Sequence, residues 1–137
     1  MFNVVQLNGV CNNVDGRLPI VLNPVPDGYS DLNIKIFGSY KESRDFEYII
    51  DNGLDWYITG VYVNFTKAGL GFTGIEFYYF DGVNYNIIHA IYEKYGAFIF
   101  NLNEHFIGDG SKKIKVSIVK SSKVLNKLFI RLYGYKG

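Results

Sequence analysis

Apolar and polar residues alternate along most of this chain, with the period of a β-strand rather than of a helix. Leu32, Ile34 and Ile36 are separated by Asn33 and Lys35. Phe46, Tyr48 and Ile50 form a second run, closed by the turn residues Asp51-Asn52-Gly53. Residues 54–66, LDWYITGVYVNFT, predict one long strand. Gly60 inside it marks a bulge, because a strand glycine lacks a side chain to pack. A glycine-bearing turn over 67–71 leads into a strand over 72–80, FTGIEFYYF, which ends at Asp81-Gly82, a strong hairpin signal. Residues 83–92 read as the returning partner. Ile87, Ile88, Ile91, Tyr92 and Tyr95 also satisfy helical spacing, while the Asp-Gly turn and the β-branched content favour strand. Residues 96–102, GAFIFNL, are another strand, followed by a turn at Gly108-Asp109-Gly110. From Lys113 to Lys120, Ile114, Val116 and Ile118 alternate with Lys115, Ser117 and Val119. The last strand, 125–133, places Leu128, Ile130 and Leu132 on one face.

The first 31 residues break this pattern. Short apolar runs alternate with Asn8-Gly9, Asn12-Asn13, Asp15-Gly16, Asn23-Pro24 and Pro26-Asp27-Gly28, and all 3 prolines sit here. Proline and left-handed turn residues resist regular pairing. The expected organisation is an irregular N-terminal arm with short strands over 1–31 and a β-sandwich domain over 32–137. The fold class is all-β: an antiparallel two-sheet sandwich, jelly-roll-like, of eight to ten strands separated by regular turn signals.

Composition adds to this picture. The 137 residues fit one domain, and 48% hydrophobic content suffices for a core. Aromatics make up 18%, with 12 Tyr and 11 Phe against 1 Trp. One small core is too small for so many rings, so some are expected at the surface. Tyr62, Phe77 and Tyr79 are expected to fill the core. Trp56, Tyr57, Tyr78 and Tyr92 are expected to project outward, where aromatic platforms stack on sugars or bury at subunit contacts. A single cysteine, Cys11, excludes an internal disulfide framework and a multi-cysteine zinc site. No apolar run approaches the roughly 20 residues of a helical membrane span. The start, Met1-Phe2-Asn3-Val4-Val5-Gln6, has neither the basic nor the apolar stretch of a secretory signal.

Charge is unevenly distributed along the chain. Through Gly110 there are 6 basic and 13 acidic residues; from Ser111 onward there are 8 basic and none acidic. Lys112, Lys113, Lys115, Lys120, Lys123, Lys127 and Arg131 therefore form a candidate basic interface. Lysines on strand edges also block unwanted pairing, and a basic edge can meet an acidic surface on a neighbouring copy or another protein. The excess of lysine over arginine and the net charge of +1 argue against nucleic acid.

Chemistry-bearing motifs are weak. His89 and His105 lack nearby ligands at metal spacing, and Glu104 beside His105 points to the opposite face of a strand. Asp51 to Asp55 offers oxygens but not the calcium-loop spacing, and Asx turns account for it. Gly69-Leu70-Gly71-Phe72-Thr73-Gly74 spells a dinucleotide fingerprint but precedes a strand instead of opening a helix. The residues point to a protein that is not an enzyme and to no metal or cofactor.

Three stretches carry a resemblance: DWYITGVYVNFT (55–66), IEFYYFDGVNYNIIH (75–89) and FIGDGSKKIKVSIVKSSKVLNKLFIRLYGYKG (106–137). Together they resemble small β-sandwich proteins of virus and phage particles, of the capsid decoration, spike or fibre-head type. The resemblance implies a virion structural protein, made in the host cytoplasm, that binds or projects from a capsid protein, often as a trimer. It carries over no functional residue. On this reading Leu7 and Ile20 of the arm contact a neighbouring subunit, whose sheet the arm can extend. The competing expectation is a carbohydrate- or receptor-binding module, with Trp56 and neighbouring tyrosines stacked on sugar rings.

Overall fold

The computed structural model describes residues 24–67, 72–92, 96–121 and 123–137. Most of the expected arm, with Leu7, Cys11 and Ile20, lies outside the described residues, as do 68–71 of the glycine-bearing turn. The described part holds eight strands: β1 (Ser30–Tyr40), β2 (Arg44–Ile49), β3 (Asp55–Lys67), β4 (Phe72–Phe80), β5 (Tyr85–Ile91), β6 (Gly96–Ile107), β7 (Lys113–Lys120) and β8 (Asn126–Lys136). Residues 85–91, open between strand and helix in the sequence, are a strand. The last two elements of sheet one are longer than expected: β6 runs to Ile107 and β8 to Lys136. The expected boundary at residue 32 is also crossed, since β1 already begins at Ser30.

Sheet one has the order β1-β8-β3-β6 and sheet two the order β2-β7-β4-β5. Every neighbouring pair is antiparallel. The pairings β1–β8, β2–β7, β3–β6 and β4–β5 are those of one long hairpin. Rolling that hairpin up adds β3–β8 and β4–β7. The chain therefore changes sheet at every connection except β4 to β5. This is the jelly roll, an arrangement of two four-stranded sheets shared by viral capsid subunits, lectin domains and cupins.

The core lies between the sheets and follows from period-two alternation. Leu32 and Ile36 point inward from β1, Leu128, Ile130 and Leu132 from β8, Ile75 and Phe77 from β4, and Ile114, Val116 and Ile118 from β7; all are buried. The expected bulge is present: the register of β3 shifts between Ile58 and Gly60 against both neighbours. It changes which residues face inward. Trp56 and Ile58 are buried before it, Val61, Val63 and Phe65 after it. Tyr62, expected in the core, consequently belongs to the outer face. Aromatic pairs join the sheets at both sides of the sandwich. Tyr40 meets Phe46 edge-on at 6.0 Å, while Tyr79 stacks on Phe106 and His89 lies against Phe100, both at 4.4 Å.

One end of the sandwich is tied by its loops. Gly108 N–H donates to the Leu54 carbonyl at 2.9 Å, and Gly53 N–H donates to the Gly108 carbonyl at 3.2 Å. A Cβ at Gly108 would collide with the carbonyl oxygens of Asp51 and Leu54, which are backbone and cannot swing away. Gly108→Ala is therefore expected to destabilise by about 1–3 kcal/mol, as overpacking does. Denaturant unfolding with an unchanged midpoint would contradict this account of the loop pair.

Candidate interaction surface

The two outer faces of the sandwich arrange their charges and rings differently. On sheet two the charged outward residues are joined to one another and to neighbouring tyrosines. Glu47 accepts from Lys113 Nζ at 3.1 Å and from the Tyr85 hydroxyl at 3.2 Å. Ser117 donates to Asp45 at 2.6 Å. Lys115 Nζ stands 4.7 Å from the Tyr78 ring centre and 4.1 Å from that of Tyr85. The Glu76 carboxylate accepts from Tyr78 and Tyr92, both at 2.5 Å. These two hydroxyl donors lower the pKa of Glu76, and the same bonds raise those of the tyrosines, Tyr78 to about 12. Exposed apolar side chains on this sheet, Ile49, Tyr85 and Ile87, lie on its edge strands β2 and β5.

Sheet one carries a larger set of rings, beside Asp31, Lys35, Asp55, Lys127 and Arg131. At one end His105 of β6, Tyr57 of β3 and Tyr135 of β8 stand side by side, because the register places them opposite one another. His105 stacks on Tyr57 at 4.3 Å with planes 5° apart, and Tyr57 stacks on Tyr135 at 4.9 Å and 19°. Tyr29, just before β1, meets Tyr57 and Tyr135 edge-on at 5.8 and 5.3 Å. Burial against these neighbours, then Tyr29 itself, raises the Tyr57 pKa. His105 Nε2 is 2.9 Å from Asp55 Oδ2. In the next row the Tyr133 ring occupies the space a Cβ on Gly60 would need. Farther along, Arg131 Nε donates to Asn33 Oδ1 at 2.8 Å, and its guanidinium lies 5.2 Å from the Tyr133 ring centre. Phe129 then touches Tyr62 at 5.9 Å and Phe37 at 6.0 Å. Phe37, Ile99 and Ile107, all outward-facing on this sheet, are 63%, 45% and 59% exposed.

The aromatics expected to form a sugar platform do not come together. Trp56 is 4% exposed and lies in the core. Adjacent strand residues point to opposite faces, so Trp56 and Tyr57 cannot both project outward. Tyr57 does face outward, but both its ring faces are covered, by His105 and by Tyr135. Tyr78 lies on the other sheet beneath Lys115. Tyr92 is exposed on that side and holds Glu76 through its hydroxyl.

The basic run does not form one surface either. β7 and β8 belong to different sheets, so Lys113 and Lys115 face out from sheet two, and Lys127 and Arg131 from sheet one. Lys112 pairs with Asp109 at 3.5 Å and Lys123 with Glu42 at 3.8 Å, while Lys120 Nζ donates to the Val124 carbonyl. Lys127 Nζ stands 5.6 Å from the Phe37 ring centre. The two histidines are separated as well. His89 lies between the sheets against Phe100, and His105 is on the outside of sheet one. Among the described residues no group of three or more His, Cys, Asp or Glu is placed to hold a metal ion, and no helix is long and apolar enough to cross a membrane. Searched against protein-family models and curated proteins, the chain matches none.

Sequence reading missed the ring surface on sheet one because its residues come from four strands and one preceding turn. The available signal was the alternation of the last strand, where Phe129, Arg131, Tyr133 and Tyr135 share the face opposite Leu128, Ile130 and Leu132.

Two outcomes follow from these faces. Glu76 is held below its ordinary pKa and Tyr78 above its own, so their bond contributes stability above the carboxylate range and below about pH 10. It is lost as pH rises through about 12 and as pH falls through the lowered Glu76 value. The stability difference between wild type and Tyr78→Phe is thus expected to be largest at neutral pH. Absorbance titration should show that this substitution removes a phenol titrating near 12. The Tyr62 hydroxyl is buried without a hydrogen-bond partner. Tyr62→Phe is expected to stabilise by about 1 kcal/mol, since an unsatisfied buried hydroxyl carries a desolvation penalty. A lowered melting temperature would show that the hydroxyl is bonded after all.

Proposed function

We propose that this chain is a non-enzymatic structural subunit of a virus or phage particle, which oligomerises and attaches to, or projects from, a capsid. The observation that carries this reading is the asymmetry of the two outer faces on a jelly-roll framework. One face is a mesh of mutually bonded charges, suited to water. The other, which also carries Asp31, Lys35, Asp55, Lys127 and Arg131, offers rings across all four strands of its sheet, and aromatic residues are enriched at subunit contacts.

The jelly roll also serves lectin domains and cupins. A sugar platform needs a ring face open to the ligand; of the four rings singled out, Trp56 is buried, Tyr57 has both faces covered, and Tyr78 and Tyr92 lie on the other sheet, joined through Glu76 with Lys115 over Tyr78. A cupin-type metal centre needs converging histidines, and here the two lie on opposite sides of sheet one. The resemblance of the three stretches to virion β-sandwich proteins points the same way as the ring-bearing face.

The test is the mass in solution, by light scattering coupled to size exclusion over a range of protein and salt concentrations, together with a glycan array. The expected result is a closed oligomer of the 15.6 kDa chain and no glycan binding. A monomer that binds glycans would replace the structural reading with the lectin one.

A further inference from the structure

A sheet edge presents a row of unpaired main-chain donors and acceptors, and proteins guard it with charge, shortness or a bulge. Among the described strands, four have one side unpaired: β1 and β6 in sheet one, β2 and β5 in sheet two. β1 carries Asp31 and Lys35, and β2, only 6 residues long, carries Arg44, Asp45 and Glu47. β5 has 7 residues and a bulge, its register with β4 shifting between Phe77 and Tyr78. β6 differs from all three. It has 12 residues and carries no charge from Gly96 to Asn103. Its register with β3 is regular from Gly96 to Asn101.

Resting on the oligomeric reading above, we infer that β6 pairs antiparallel with β6 of a second copy, about a two-fold axis beside Ile99, so that sheet one continues across both subunits. Main-chain hydrogen bonds supply the affinity of such strand addition, and alternate side chains supply the specificity.

Two observations commit the edge to a second copy in this register. The first is closure. Pairing β6 with its counterpart joins the long unguarded edges of both copies and leaves the two charged β1 strands at the ends of the combined sheet. A two-fold contact closes on itself, whereas β6 set against any other edge leaves an unguarded β6 on the last copy.

The second is the placement of apolar and charged side chains along the edge. Phe98, Phe100 and Leu102 face the other sheet, as does Ile88 of β5, yet all four are only partly buried. The apolar layer is therefore open on this flank. On the opposite flank the Arg44 guanidinium lies over the corresponding rings, 5.9 Å from the Tyr40 centre and 4.9 Å from that of Phe46. Glu104 points to the same side as Phe98 and Phe100, because the alternation of β6 continues through it. A partner strand has to leave this carboxylate in water, since burying it unpaired is costly. Directly opposite residues of an antiparallel pair share a face, so the axis stands beside one residue and its own counterpart. An axis at Asn101 sets Glu104 against Phe98 of the second copy, and one at Phe100 sets it against Gly96. An axis at Ile99 gives the longest pairing that keeps Glu104 outside it. Ile99, 45% exposed, then meets its counterpart, Phe98 meets Phe100, and Ala97 meets Asn101. Aromatic and β-branched pairs of this kind stabilise neighbouring strands, and no charge is set against a charge. The stretch makes roughly six main-chain hydrogen bonds, at the lower end of the about 5–15 of a typical interface, so the dimer is expected to depend on concentration.

Sedimentation equilibrium of the full chain at low salt tests the axis. Ile99→Lys sets two ammonium groups opposite each other, and Ile99→Glu two carboxylates. Each is expected to weaken the dimer at least about tenfold, because like charges directly opposite repel, while a one-to-one mixture regains the affinity as a heterodimer. Circular dichroism and melting temperature of the monomeric variants are expected to stay near wild type, since the changed side chain faces outward. Cysteine pairs test the register, and keep the test valid if a charge at 99 disturbs the fold. With Cys11→Ser in the background, Ala97→Cys mixed with Asn101→Cys is expected to form a disulfide on mild oxidation, and neither variant with itself. Opposite residues stand about 4.5–5.5 Å apart between Cα atoms, within disulfide reach. A closed oligomer that survives both charge variants, or in which 97 and 101 do not crosslink, would overturn this edge and leave the structural reading standing. A wild-type monomer at every concentration would overturn the inference, and glycan binding by that monomer would overturn the structural reading too.

Discussion

The insertion of β8 between β1 and β3 is the contact on which the rest of the structure depends. It joins Ser30 to Lys136 and Tyr40 to Asn126 on one side, and Trp56 to Lys136 and Phe65 to Leu128 on the other. Without it, among the described strands β1 has no partner and β3 keeps only β6. The equivalent position in sheet two belongs to β7, between β2 and β4. The last 25 residues thus supply the central strand pairings of both sheets. Such pairing closes long loops before any contact rewards it, which is the feature of a chain that folds slowly for its size.

That arrangement also decides the electrostatics. β7 and β8 are consecutive and share a basic composition, yet they lie in different sheets. A charge run that is continuous in sequence is therefore divided between two opposite surfaces. On sheet two the lysines meet Glu47 and the rings of Tyr78 and Tyr85. On sheet one Lys127 and Arg131 lie over Phe37 and Tyr133. Acidic residues from the earlier strands fill in between, so the linear separation of charge becomes an intermixed one.

The aromatic content is divided in a similar way. The core takes Trp56, Phe65, Phe77 and Phe106. The bulge before Gly60 turns Tyr62 outward and opens a space in the sheet that the Tyr133 ring fills. The bulge does two things at once: it keeps branched aliphatic residues inward along β3, and it seats a ring on the outer face. The surplus of rings then becomes a surface across the four strands of sheet one.

The sequence by itself determined what is local. Period-two alternation marked the strands, Asp81-Gly82 marked the one hairpin within a sheet, Gly60 marked the bulge, and turn spacing indicated a two-sheet sandwich. Each of these depends on a residue and its near neighbours, through the pleat, the left-handed preference of glycine and the polarity of turns. The tertiary structure alone decided which side of a strand is inside, and so sent Trp56 to the core and Tyr62 to the outer side of sheet one, where its neighbours still bury it. It alone separated the basic run and brought Tyr29, Tyr57, His105 and Tyr135 together. Those outcomes depend on partners roughly 30 to 100 positions away, and a strand read alone presents two faces without saying which one its sheet will bury.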